Sequence, residues 1–266
     1  MYLRTQPNRI FHQRQIRYYR DLIRELVVRD LKLLYKRSVL GIAWTLINPL
    51  LQLAVFVFVF QTVLRVNVPQ YASFVFSGLL IWTWTQSSLF QATGLITSNR
   101  PLIRQPGFPI AILPIITVTT GLIHFLLALP VLIIFLIIDG IHLTSNILFL
   151  PLLLVLQFIL TVSFAYPLAA LNVTFRDTQH TLGVLLQLFF YVLPIFYTLD
   201  QVPVHLRPTY SFNPMAVLLE AYRAILIKGQ SPDWIALLGL AVMTSCLLPI
   251  GYRIFKRQSQ RFVEEI

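Results

Sequence analysis

The chain has 266 residues, of which 57% are hydrophobic and only 12% charged, and its net charge is +11. Soluble globular domains carry about 25% charged residues, so this composition excludes a water-soluble particle. The cations flank long apolar runs and leave no room in the loops for a nucleic-acid-binding fold, so no nucleic-acid partner is expected.

Residues 11–34 read as an amphipathic helix. At about 100° per residue, Ile16, Tyr19, Leu22, Ile23, Leu26, Val27, Leu31, Leu33 and Leu34 share one arc, and Arg14, Arg17, Arg20, Asp21, Arg24, Glu25 and Lys32 the other. Val28 and Asp30 are out of place: Val28 falls on the polar side and Asp30 in the apolar arc, where pairing with a nearby arginine accounts for it. Such a helix suits a membrane interface, its cations against anionic headgroups, or the surface of a partner. The first 37 residues are too polar for a cleavable signal peptide.

Beyond Arg37 the charge disappears. Stretches 38–64, 66–99, 105–138, 140–175, 178–199 and 234–252 contain no Asp, Glu, Lys or Arg. Each reaches the roughly 18–20 residues that a spanning helix needs, and only helices and closed barrels pair every backbone amide inside lipid. Six spans are predicted, at about 40–64, 71–97, 110–138, 146–172, 181–199 and 234–252. This divides the chain into a cytoplasmic segment, 1–37, and a transmembrane domain, 38–266. Pro49, Pro114, Pro130, Pro167, Pro194 and Pro249 fall inside these spans, where each removes a backbone donor and can kink a helix.

Between spans two and three, residues 98–109 read SNRPLIRQPGFP. Pro101 can open a short helix. Leu102, Ile103 and Phe108, rimmed by Arg100 and Arg104, form an apolar cluster suited to docking a partner or to folding back onto the membrane. After span four, Arg176 and Asp177 form a charged turn, either a docking point or a structural ion pair. The longest inter-span segment, 200–233, contains FNPMAVLLEAYRAILIKG. This apolar run is too short to span and fits a re-entrant or interfacial helix, with Asn213 as its cap and Pro214 as its first residue.

Seventeen of the 21 Lys and Arg fall in segment 1–37, the loops after spans two and four, and the C-terminal tail. Arg65, Arg207, Arg223 and Lys228 lie on the other side. The positive-inside rule therefore places both termini in the cytoplasm.

No catalytic or metal constellation is present. None of the four lysines, Lys32, Lys36, Lys228 and Lys256, precedes Ser or Thr, so the phosphate loop that holds ATP is missing. The five histidines form no ligand pair at helical spacing, and no DxD occurs. His124, inside span three, suits either a proton relay or a neutral imidazole hydrogen-bonded between helices. The single Cys246 reads as a small packing residue. Aromatics are abundant: Phe56 and Phe60 share a face of span one, Trp82 and Trp84 sit within span two, and Phe189, Phe190, Tyr191, Phe196 and Tyr197 crowd span five. Flat rings can line a path along which sugars slide, or simply pack the spans together.

The series Arg29-Asp30, Tyr35-Lys36, Ser38-Val39-Leu40-Gly41, Trp44 and Asn48-Pro49 resembles the opening signature of ABC-2 type permeases that export polysaccharides such as O-antigen, capsule and teichoic acid. The likeness continues through Gly78-Leu79-Leu80, Trp82, Leu102-Ile103, Phe108-Pro109, Arg176-Asp177, Asn213-Pro214-Met215, Glu220 and Arg223. It implies an all-α integral membrane fold with six transmembrane helices, an N-terminal amphipathic interface helix and re-entrant outer gate helices. By this resemblance Asn99, Arg100, Pro101, Leu102, Ile103, Arg104, Phe108 and Pro109 are the ATPase-coupling loop. Arg176 and Asp177 are a second contact, and Asn213, Pro214, Met215, Glu220 and Arg223 belong to the outer gate. It also implies a homodimer with two copies of a cytoplasmic ATPase that binds ATP and Mg, no cofactor in this chain, and a lipid-linked polysaccharide as substrate. The location would be the cytoplasmic membrane of a bacterium, among its lipids. An exporter of a drug or small lipid, or an ATPase-independent flippase of lipid-linked glycans, is the alternative.

Overall fold

The computed structural model describes residues 8–36, 40–65, 68–260 and 262. Among them every regular element is helical and no strand occurs. The chain divides into two units, Met1–Gly41 and Ile42–Ile266. The expected domain boundary at 37/38 lies outside the described residues.

The first unit holds one helix, α1 (Asn8–Tyr35). Asp30 pairs with the neighbouring Arg29 guanidinium at 2.7 Å, which accounts for a carboxylate in the apolar arc.

The second unit opens with α2 (Trp44–Phe56), which continues without a break into a π-helical stretch, Val57–Val63. Then come α3 (Tyr71–Thr93), the short α4 (Leu95–Ser98) and α5 (Arg100–Ile103), and the long α6 (Leu113–Ile138). α7 (Leu150–Thr174), α8 (Thr178–Val192), α9 (Arg207–Ser211), α10 (Pro214–Leu226) and α11 (Trp234–Ser259) complete it. Four segments among the described residues are long and apolar enough to cross a membrane: Trp44–Val63, Ile110–Ile138, Ser145–Thr174 and Trp234–Ser259. The protein is therefore a multi-pass membrane protein.

The two other expected spans are built differently. α3 is laced with Ser, Thr and Gln, but it packs against α2, α6, α7, α8 and α10. A helix surrounded by protein need not be apolar enough for lipid, provided its polar atoms are paired. Ser77 donates to the Phe74 carbonyl, and the fully buried Gln157 of α7 donates to the Ile81 carbonyl and to Thr85. The expected span 71–97 ends earlier, at Thr93, because Gly94 interrupts the helix before α4.

The expected span 181–199 is corrected more strongly: its helix starts at Thr178 and stops at Val192. Pro194 pushes the residue before it out of the helical region, and Leu193 is extended at ψ 143°. Fifteen residues reach about 22 Å at a helical rise, short of a hydrocarbon core of about 30 Å. The last span runs the other way, past 252 to Ser259, with Lys256 and Arg257 in its final turn, where cations suit the helix dipole.

Close helix approaches depend on two glycines. A Cβ on Gly121 of α6 would sit 2.4 Å from Ser88 Oγ and 2.6 Å from Trp84 of α3, and one on Gly251 of α11 would sit 2.5 Å from the Ser163 carbonyl of α7. Small residues let helix backbones meet where no hydrophobic force drives them together. Cys246, by contrast, is exposed on α11 rather than packed.

At the ends of α3 and α10, loops are tied by polar side chains. Asp139 accepts from the Ser73 hydroxyl at 2.6 Å and from the Ser73 amide at 3.2 Å, placing a carboxylate at the N-terminus of α3. Asn146 donates to the Gly229 carbonyl at 2.7 Å, linking the loop before α7 to the loop before α11.

Candidate functional site

Three groups of expected site residues occupy three parts of the second unit. At one end, Asn99 separates α4 from α5, and its side-chain amide donates to the Leu95 carbonyl at 3.0 Å. Pro101 lies in the first turn of α5, where its missing N–H costs nothing. Arg100, Pro101 and Arg104 are exposed, and Leu102, Phe108 and Pro109 are half-buried. Ile103 is only 4% exposed, so the cluster expected to be displayed is partly internal: coiling 100–103 into a helical turn directs one of its apolar side chains inward. Arg176 and Asp177 are both exposed in the turn between α7 and α8 and form no ion pair with each other. The two segments belong to the same end of the unit. α4 packs on α7, and the Gln179 side chain of α8 lies against Gly94 at the start of α4.

The second group is aromatic. Phe56 lies 5.9 Å from Phe60 and 5.8 Å from Phe190, and it stacks on Phe196 at 5.6 Å with an interplanar angle of 4°. Phe60 contacts Phe196 at 5.0 Å, and Tyr197 contacts Phe196 at 5.2 Å. Tyr191 touches Phe190 and Phe196, and Trp82 touches Phe189 and Phe190. Eight of the nine rings expected along a pathway thus form one contiguous cluster from α2 and its π-helical continuation, α3, α8 and the segment after it. Trp84 does not join them. It is buried against Phe125 at 5.6 Å, and its indole N–H donates to the Val118 carbonyl of α6 at 3.1 Å, a packing role set by its position two residues, and so about 200°, from Trp82 on α3.

Beside this cluster a groove of about 510 Å³ opens, lined by Leu51, Gln52, Val55, Phe56, Trp82, Gln86, Gln187, Phe190 and Tyr191. The sequence reading passed over its three glutamines. The available signal was an amide set inside a charge-free run, as in LLQLAVF and LLQLFF.

The third group surrounds α10. Asn213 caps the helix, its side-chain oxygen accepting from the Met215 and Ala216 amides at 3.0 and 3.4 Å, with Pro214 in the first turn. Met215 is buried. Arg223, 1% exposed, donates to the Pro194 carbonyl at 2.6 Å and to the Ile195 carbonyl at 2.9 Å, and weakly to the Phe74 carbonyl at 3.5 Å. Its guanidinium also lies 3.5 Å from the centre of the Phe74 ring and 3.3 Å from Glu220, which in turn pairs with Lys228. Burial lowers the Arg223 pKa to about 10, with Glu220 acting in the opposite direction, so the guanidinium is charged at neutral pH. The break that Pro194 makes in span five frees the carbonyls that this arginine holds. Tyr71 adds a bond to the Phe196 carbonyl at 3.2 Å. α10 and α3 thus jointly fix the segment that carries Phe196. His124 is half-buried in α6.

The profile of the ABC-2 type transporter family matches residues 21–227. The chain belongs to the ABC-2 type transporter family. Among its relatives is the O-antigen export system permease protein RfbA of Myxococcus xanthus, 35% identical over 255 residues, covering 95% of this chain and 98% of the relative. An O-antigen export system permease protein RfbA of Klebsiella pneumoniae is 32% identical over 250 residues, 93% of this chain and 95% of that one. The polysialic acid transport protein KpsM of Escherichia coli is more distant, 21% identical over 241 residues, 90% of this chain and 93% of its own. The family match takes in α2 to α10, and therefore all three groups of residues described above.

Proposed function

We propose that this ABC-2 protein is the permease subunit of an ATP-binding cassette exporter that moves a lipid-linked polysaccharide out across the cytoplasmic membrane of a bacterium. The likeness to O-antigen export permeases at 31–35% identity over more than nine-tenths of the chain carries this reading. The aromatic groove supports it, because ring faces contact sugar C–H groups without fixing one geometry.

In this reading α3, and α8 together with the extended segment that follows it, complete six spans, both termini are cytoplasmic, and α10 is a re-entrant outer gate helix. Two copies of the chain face each other. The outward sides of α2 and α8 support this: Leu51, Val55, Phe58, Val184, Leu185 and Leu188 are exposed beside a groove with polar lining that lipid would not solvate. A separate ATPase, two copies per dimer, binds ATP and Mg²⁺ and pushes on α5 and on the Arg176-Asp177 turn. The chain itself performs no chemical step. Its residues hold the rings, the gate and the docking turn in place while the partner's nucleotide cycle supplies the work.

The test is a deletion of the gene in its own host, with surface and intracellular glycan measured separately. Intracellular accumulation with loss from the surface, reversed by the restored gene, is the expected result. Normal surface glycan in the deletion strain would overturn the reading. Flipping of a lipid-linked glycan by the purified chain alone, in vesicles without any ATPase, would shift it to a self-sufficient flippase.

A further inference from the structure

Gln52 of α2, Gln86 of α3 and Gln187 of α8 line one groove, although they come from three different helices. Gln52 and Gln187 are exposed and Gln86 is half-buried, and none of the three has a hydrogen-bond partner among the described residues. Gln157, in the same unit, shows the alternative: it is fully buried, with its amide N–H groups given to Ile81 and Thr85. Gln157 is thus buried with its donors used and only its Oε1 unpartnered, while the groove glutamines have both ends of the amide open.

Their level along the helices is shared. Gln52 lies eight residues from the start of α2, Gln86 seven from the end of α3 and Gln187 nine from the start of α8. At the helical rise this is about 12, 10 and 14 Å from those ends, all on the side of α5 and the Arg176-Asp177 turn. An unpaired amide at that depth is costly against lipid, so the groove faces something that can hydrogen-bond. Trp82 lines the same groove but is only 2% exposed, with its indole N–H buried, so the three glutamines are the polar groups the groove presents. No charged residue lines the groove, and its size falls in the range of ligand sites.

We propose that Gln52, Gln86 and Gln187 form a collar that binds the hydroxyl groups of an uncharged glycan chain, while Phe56, Phe190 and Tyr191 contact its C–H faces. This rests on the transport reading given above and names the class of polymer. An amide both donates and accepts, as a hydroxyl does, so the two match whichever way a sugar is turned. A carboxylated sugar only accepts at its anionic group, and the groove offers no cation to offset its desolvation.

The test uses the full-length chain in lipid nanodiscs with two probes of equal length, labelled maltoheptaose (neutral) and a labelled heptamer of galacturonic acid (anionic). Maltoheptaose is expected to bind at least tenfold more tightly than the acid. The triple change Q52L, Q86L and Q187L is expected to lower that affinity at least tenfold, and the triple change to Asn, which keeps the amides, to retain most of it. Equal binding of both probes, equal binding by the Leu variant, or no binding of maltoheptaose would overturn the proposal. A Leu variant that elutes as a monomer where the wild type is a dimer would overturn it too, by assigning the amides to contacts between copies. A deletion strain that still loses surface glycan while the collar test fails removes the collar alone, whereas one with normal surface glycan removes the transport reading.

Discussion

The two sides of the segment that follows α8 treat polar atoms in opposite ways. On one side, Arg223 of α10 is buried with its charge shared among the Pro194 and Ile195 carbonyls, Glu220 and the face of Phe74. On the other, the groove between α2, α3 and α8 leaves three amides and an indole N–H without partners. The first arrangement resists movement, because any displacement of α10 strands a buried charge. The second tolerates a changing occupant, because the amides of Gln52, Gln86 and Gln187 are still available. Phe196 belongs to both, with its carbonyl held by Tyr71 and its ring stacked on Phe56. The proposed gate and path would use this contrast, one as a fixed hinge and the other as an unsaturated wall.

The sharpest way to break the comparison is to remove the fixed side. Arg223→Ala leaves the buried Pro194 and Ile195 carbonyls without their donor, and each such loss costs about 1–3 kcal/mol. A fall of that size in the detergent unfolding free energy is expected, with Arg223→Lys failing to restore it, since one ammonium cannot reach two carbonyls in the planar fork that a guanidinium provides. Gly251→Val should come next. Its side chain would meet the Ser163 carbonyl at a distance that no Cβ occupies, and forcing α11 from α7 is expected to cost about 1–3 kcal/mol, read in the same unfolding experiment. Phe56→Ala, on the open side, should cost about 1–2 kcal/mol, less than the ~3–5 of a fully buried ring, while lowering surface glycan more than its stability change alone explains. Arg176→Glu should leave stability within about 0.5 kcal/mol, because the residue is exposed and unpaired, yet it should uncouple ATP hydrolysis from export. Normal export by that variant would remove the turn from the coupling surface.

Much of this was legible in the sequence, for identifiable reasons. Charge-free runs mark helices that face lipid, and four of them stand out by length and apolarity alone. Asn213 and Pro214 announced the start of α10, because a cap and a first-turn proline act through their nearest neighbours. What was not legible depended on distant contacts. The end of α8 at Val192 is signalled locally by Pro194, but the use of the freed carbonyls by Arg223 is not. Ile103 looked displayed because a loop reading gives no direction to its side chains. Trp84 resembled Trp82 in composition and differs only in the helix face it presents. Gln52, Gln86 and Gln187 are 34 to 135 positions apart in the chain, so only the fold brings them together.

The proposed transport cycle requires an ATPase on a separate polypeptide, docked at α5 and the Arg176-Asp177 turn. The most direct measurement is purification of the tagged chain from its own host in mild detergent, with mass spectrometry of what accompanies it and an ATPase assay on the product. An ABC ATPase in near-equal amount is expected, lost when the exposed Arg100, Arg104 and Arg176 are all replaced by Glu while the protein remains folded. A folded, pure chain with no ATPase bound, or one whose ATPase stays bound to the triple variant, would contradict it.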